Sequence, residues 1–277
     1  MTTTNNPLQQ YFRQPAIYMP LLSGGKYWKN NAVNIPAVNE LPVLPMTAID
    51  EVTIRTPDGL LNGQSTVSVI ESCIPNITDA WEIPVVDLDA ILLAIRIASY
   101  GHTMDITSKC PNCNETSDFE IDLRTALDAL SIADYDKPFV FNNVTATIRP
   151  MTYREVSDNN AIQFEERKVH QINADDNMSG EEKLKLITES FKTITALSIA
   201  AVAKSVTSIS IDEGTATEPT HIAEYLSKCD AKFYTALRNH ITDLKKQCEV
   251  KPVHIKCPDC NNEYDMPFTL DLSNFFD

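Results

Sequence analysis

The sequence predicts an α+β fold, with a strand-bearing knuckle region formed by the middle and the C-terminal end of the chain. A helical insertion separates the two knuckles, and an extended arm precedes them. Three observations carry this expectation. The phrases KCPNCN (109–114) and KCPDCN (256–261) each sit between alternating, strand-like runs. The residues between them carry long patterns of apolar residues at helical spacing. The first 46 residues hold prolines at 7, 15, 20, 36, 42 and 45.

Those prolines rule out long helices in residues 1–46. Tyr11, Phe12, Tyr18, Leu21, Leu22, Tyr27 and Trp28 make the same stretch too apolar for a solvated tail. The expectation is an extended arm, covering either the core of its own subunit or a neighbour, where aromatic side chains make good anchors.

Residues 47–150 read as an α/β region bearing the first knuckle. AIDEVTIRTPD reads as a strand and a turn, and Leu60–Cys73 as a helix. Asp87 is placed to cap the next helix, DLDAILLAIRIASYG, with Gly101 as its stop. Leu88, Ile91, Leu92, Ile95 and Ala98 share one face, which predicts a core helix. HTMDITSK delivers the first knuckle as a strand and DFEIDL returns from it. PFVFNNVTATIRP reads as a hairpin turning at Asn142-Asn143.

Residues 151–250 read as helical, split by NADDNMSG and by the strand-like SVTSISIDEGT. Leu184, Ile187, Phe191, Ile194 and Leu197 form one stripe, and Ile222, Tyr225, Leu226, Cys229, Phe233, Leu237, Ile241 and Leu244 form another along a single last helix. Both are expected to be core seams. Residues 251–277 then supply the strand VHIK, the second knuckle, the strand-like EYDMPFTLDL and the ending SNFFD.

Each knuckle places two thiols three positions apart, so Cys110, Cys113, Cys257 and Cys260 together offer the four-thiolate tetrahedron that structural zinc prefers. Proline after the first Cys stiffens the turn. Asn114 and Asn261 follow the second Cys, where such turns need the positive φ that Asn tolerates. One shared zinc would use every ligand, leave no open position for substrate, and tie the middle of the chain to its end.

Other arrangements of the same thiols stay open. CxxC pairs serve redox exchange, although those pairs open a helix and these lead into strands. Disulfides are a second arrangement, disfavoured because no signal peptide is expected. Two separate sites completed by His102 or His254 are a third. Cys73, Cys229 and Cys248 lie on helical patterns and read as small hydrophobes, with Cys248 near enough in sequence to the second knuckle to act as a spare ligand.

At 277 residues and 43% hydrophobic, the chain is long enough to bury a sizeable core in one or two domains. A formal charge of −15 argues against nucleic-acid binding through a broad basic surface. No apolar stretch is expected to span a bilayer. GxGxxG, Walker, GxSxG and HExxH motifs are absent, and the acidic residues scatter without forming a catalytic pair. The residues thus point away from an enzyme.

Over roughly residues 48–277 the order of elements resembles the baseplate hub and hub assembly family of T-even-like contractile-tailed bacteriophages. The helix DLDAILLAIRIASYG runs into a strand and CPNC, a strand returns to EIDL, helices follow, and CPDC precedes a strand and the pair Phe275-Phe276. The chain departs from that pattern in two respects. Asn follows each CxxC where related sequences often have Gly, and the arm is larger than in compact members. The resemblance implies a non-enzymatic structural component of the tail baseplate, located in the virion after assembly in the host cytoplasm. Its implied partners are other hub or tail proteins and the tape-measure protein. Alternatives are a hub assembly chaperone absent from the mature virion, a zinc-ribbon nucleic-acid-binding protein and a dithiol oxidoreductase.

Overall fold

The computed structural model describes residues 8, 12–29, 31–55, 63–174, 178–212, 214–268, 270 and 275–276. Two units arise from the chain. One comprises Met1–Ser131 with Glu249–Asp277, and the other Ile132–Cys248.

The first unit begins with β1 (Ile17–Met19), which pairs antiparallel with β2 (Leu41–Val43). Met19, Leu41 and Val43 are buried while Tyr18 between them is exposed, the period-2 alternation of a strand with one covered face. Leu21, Trp28 and Ala32 are also buried, so the described part of the arm covers its own unit. Arg13 fastens the start of that arm. Its guanidinium donates to Pro45 O at 2.7 Å, to Ser72 O at 2.7 Å, to Ser72 Oγ at 2.8 Å and to Asp50 Oδ2 at 3.1 Å.

The AIDEVTI segment corrects the sequence-based expectation. It forms a helix, α1 (Ala48–Ile54), where a strand was expected. Thr47 and Asp50 make a reciprocal capping box, and that local closure outweighs the β-branched composition. The turn expected just beyond it falls at residues 56–62, outside the described residues. Next comes α2 (Gln64–Cys73), then a 3₁₀ turn (Ala80–Glu82) and α3 (Val85–Tyr100). α3 is the central helix of the unit, buried almost all round from Ala90 to Arg96. Gly101 ends it at φ 91°, as its sequence position predicted.

Asp87 does not cap α3 as expected, because Pro84 occupies the cap position. The Asp87 side chain is fully buried and reaches the arm instead. It accepts from Ser23 N at 2.8 Å, Ser23 Oγ at 2.5 Å and Trp28 Nε1 at 2.8 Å. Burial pushes its carboxyl above the ordinary range, against the pull of these donors. From α3 the chain enters β3 (Thr103–Lys109), which pairs along its full length with β4 (Thr116–Asp122), and α4 (Leu123–Asp128) follows.

The second unit is built on an antiparallel sheet of order β5-β6-β7-β8. β5 (Phe139–Phe141) and β6 (Val144–Ile148) form the expected hairpin, with Asn142 at φ 52°. α5 (Tyr153–Asp158), α6 (Asn160–Ala174) and α7 (Gly180–Ser205) come next, then β7 (Val206–Ile211) and β8 (Gly214–Ala216). The insertion between the knuckles therefore carries a sheet as well as helices. Its last helical stretch is not continuous. α8 (Pro219–Lys228) ends at Cys229, and α9 (Ala231–Cys248) starts afresh because Asp230 Oδ1 accepts from Lys232 N at 2.7 Å. Ile222, Leu226, Phe233, Leu237 and Leu244 remain buried, and Phe233 packs edge-on against Phe141 and Tyr225.

Two expectations about α7 need correction. By length and composition it is apolar enough to cross a membrane, although only 17% of its apolar window is buried within the protein. Its stripe is also not one core seam. Ile187, Ile194 and Leu197 are half-buried, whereas Leu184 and Phe191 are 67% and 56% exposed.

The chain then returns to the first unit as β9 (Val253–Lys256), paired antiparallel with β10 (Glu263–Met266). α3 holds this returning segment at two points. Asp89 Oδ2 accepts from Val250 N at 3.3 Å, and Arg96 Nε donates to Phe275 O at 3.0 Å. Phe275 and Phe276 are buried and stacked edge-to-face.

Candidate metal centre

Both knuckles have the same local construction, and it follows from their sequence. In the first, Cys110 N donates to Glu115 O at 2.9 Å and Asn114 N to Cys110 O at 3.0 Å. In the second, Cys257 N donates to Asn262 O at 2.9 Å and Asn261 N to Cys257 O at 3.0 Å. Asn114 and Asn261 take φ values of 62° and 57°, the left-handed conformation expected of them. Each turn thereby folds its two thiols to one side at the tip of a two-stranded sheet.

The structure brings the four thiols together. Their sulfurs all lie within 4.8 Å of one another. Cys110 Sγ is 3.7 Å from Cys260 Sγ, and Cys113 Sγ is 3.6 Å from Cys257 Sγ. A tetrahedral zinc site with bonds of about 2.3 Å spaces its sulfurs about 3.8 Å apart, so the donor set fits such an ion in both chemistry and size. All four are free thiols. Cys110 and Cys257 are buried while Cys113 and Cys260 are half-exposed, so the cluster is reached from one side.

Neighbouring groups favour the thiolate form unevenly. The Asn112 side-chain amide, 3.5 Å from Cys260 Sγ, and the backbone N–H of Asn262 pull the Cys260 thiol down to about 6. Backbone N–H groups of Cys113 and Asn112 lower Cys110. At Cys113 the Glu115 N–H pulls downward, but desolvation and the three surrounding sulfurs outweigh it and push the thiol up to about 12. Four sulfurs this close cannot all ionise without a cation among them.

Sequence reasoning missed Asn112. The only signal was that the third position of CPNC carries an amide where CPDC carries Asp259. The two histidines considered as ligands lie elsewhere. His254 Nδ1 is 2.9 Å from Asp265 Oδ1 across the β9–β10 pair, and His102 is exposed ahead of β3. Cys248 belongs to the second unit, where its thiol accepts from Ala133 N at 3.2 Å. Cys73 is buried at the end of α2, and burial pushes its thiol up to about 12. Among the described residues, the knuckle thiols are the group suited to a metal ion.

No curated protein and no solved structure matches the chain. Residues 53–277 match the family model described as T4 bacteriophage base plate protein, a span that takes in α2, α3, both knuckles and all of the second unit. The chain therefore belongs to the T4 bacteriophage base plate protein family.

Proposed function

We propose that the chain is a zinc-stapled structural subunit of the hub region of a contractile-tail baseplate, engaging neighbouring hub or tail proteins and the tape-measure protein. The observation that carries this reading is the convergence of four thiols from two distant knuckles within the family's span. Cys110, Cys113, Cys257 and Cys260 would hold one zinc ion, which supplies a cross-link in place of a reaction site. With all four positions taken by sulfur, the centre fixes β3–β4 against β9–β10 and keeps the returning segment on the first unit. A tail part that transmits force during contraction gains from such a link, because loosening one end of the chain then requires loosening the other.

The arm-bearing unit offers surface for neighbours. Phe12, Tyr18, Val38, Ile49 and Val52 are all exposed there, and large apolar side chains are the usual anchors of protein interfaces. Assembly would begin in the host cytoplasm and end in the virion.

Mass spectrometry of purified virions, together with zinc per chain of the purified protein, tests the reading. The chain in virions at stoichiometric level, with one zinc per chain, is the expected result. Its absence from virions with zinc retained would replace the subunit by an assembly chaperone. Loss of both would overturn the reading.

A further inference from the structure

α6 packs against α7 as a helical pair in the second unit, α8 and α9 meet the C-terminal part of α7, and one face of its N-terminal part is left uncovered. The covered side of α7 carries Leu186, Ile187, Ser190, Ile194 and Leu197. The opposite side presents Leu184, Thr188, Phe191 and Thr195, a seam with steps of four, three and four residues, as in coiled coils. At 3.6 residues per turn, Lys185, Lys192, Glu189 and Glu182 fall beside this seam along one edge. Among the described residues, Lys185, Glu189 and Lys192 form no ion pair within the chain.

We infer that this face of α7 binds the same face of a second copy of the chain in antiparallel register, centred near Ile187. The order of charges commits the occupant. Along the edge they run Glu182, Lys185, Glu189, Lys192. A twofold axis level with Ile187 sets Glu182 opposite Lys192 of the second copy and Lys185 opposite its Glu189, and the symmetry repeats both pairs. The same axis brings Leu184 to within one residue of level with Phe191 of the second copy. Moreover, an antiparallel dyad places like edges together, so the apolar seam meets the apolar seam and the charged edge meets the charged edge.

A parallel dimer fails on both counts. It sets Lys185 level with Lys185 and turns each apolar seam toward the partner's charges, where like-charge approach and desolvation oppose binding. One register thus satisfies the apolar and ionic groups together, which scattered surface residues have no reason to do. Being one helix wide, the contact is small by the standard of stable complexes, and the dimer is expected in the micromolar range. It depends on neither the metal centre nor the baseplate role.

Sedimentation velocity on the full chain over a concentration series tests the inference, with melting curves of each variant for comparison. Wild type is expected to dimerise reversibly, and Phe191→Asp to leave it monomeric. Lys185→Glu turns two attractive pairs into two repulsive ones and should weaken the dimer about tenfold, while Lys185→Glu with Glu189→Lys should restore it. Because Lys185 and Glu189 are also one helical turn apart, the melting curves must separate the two effects, and rescue of dimerisation among variants that melt alike requires antiparallel pairing. A wild-type monomer at high micromolar concentration would overturn the inference. A dimer indifferent to Phe191→Asp, a double variant no better than the single one, or α7-dependent binding to anionic lipid vesicles by a monomeric chain would do so equally.

Discussion

Replacing Cys110 by Ser probes the proposed metal centre at a buried position whose sulfur lies 3.7 Å from Cys260 Sγ. Serine is nearly isosteric, so packing changes little and the effect reports the lost thiolate. The cross-link that the proposed ion would form joins segments whose nearest ligands, Cys113 and Cys257, lie 144 positions apart. Treated as a chain-closing link, a loop of that length removes about 5 kcal/mol of conformational freedom from the unfolded chain at 25 °C. Structural zinc in finger peptides contributes about 10–16 kcal/mol of apparent binding free energy, so the closure figure is a lower bound if the ion is lost. For a unit of this size, about 5 kcal/mol corresponds to a melting temperature lower by roughly 10–20 °C. Thermal unfolding with and without chelator would measure this, with zinc release followed by a chromophoric chelator. Limited proteolysis should show early cleavage beyond residue 248, because the returning segment loses its attachment through the thiol cluster and keeps only hydrogen bonds such as Val250 N to Asp89 and Tyr264 Oη to Ser108 Oγ. Cys248→Ser, in the second unit, should keep its zinc and serves as the control for loss of a buried thiol. A Cys110→Ser protein that retains one zinc per chain and melts with wild type would refute the reasoning.

Asp87→Ala leaves Ser23 N, Ser23 Oγ and Trp28 Nε1 without their acceptor and should cost about 3–5 kcal/mol in urea unfolding, with Asp87→Asn costing less because one carbonyl oxygen remains. Arg13→Ala removes the hydrogen bonds that tie the arm to Asp50 and Ser72, and the one to Pro45 within the arm, and should cost about 2–4 kcal/mol and speed proteolysis within the arm. Glu155 is raised by burial but lowered further by Arg149 and the Thr152 N–H, so its net shift is downward. Its stabilising contribution should be present above the unfolded carboxylate pKa of about 4.3 and fade as pH falls through the lower folded value, and Glu155→Gln should flatten that part of the stability profile.

What could be read from the residues divides by range. The knuckles, the β5–β6 hairpin and the end of α3 at Gly101 are decided by nearest neighbours, and each appears where the pattern placed it. The α1 segment departs from its strand reading because Ile49, Val52, Thr53 and Ile54 favour strands, whereas the equally local Thr47–Asp50 capping box closes a helix. The break at Cys229–Asp230 was hidden because the apolar positions on either side, Leu226 and Phe233, keep helical phase across it. Asp87 was assigned to a helix cap because sequence gives no account of what lies beyond the helix end. Its partners are more than fifty positions away in the arm.

By itself, the sequence determined how each CxxC turn folds, because its proline, its Asn at positive φ and its short hydrogen bonds all lie within six residues. It also determined the family, which residues 53–277 match. Only the tertiary structure decided that the two turns meet with sulfurs 3.6 and 3.7 Å apart. It likewise decided that Asp87 holds the arm, and that two of the five residues of the α7 stripe, Leu184 and Phe191, face outward. The physical reason is common to all three. Periodicity and turn chemistry fix which side of an element a residue occupies, whereas what covers that side depends on segments far away in the chain.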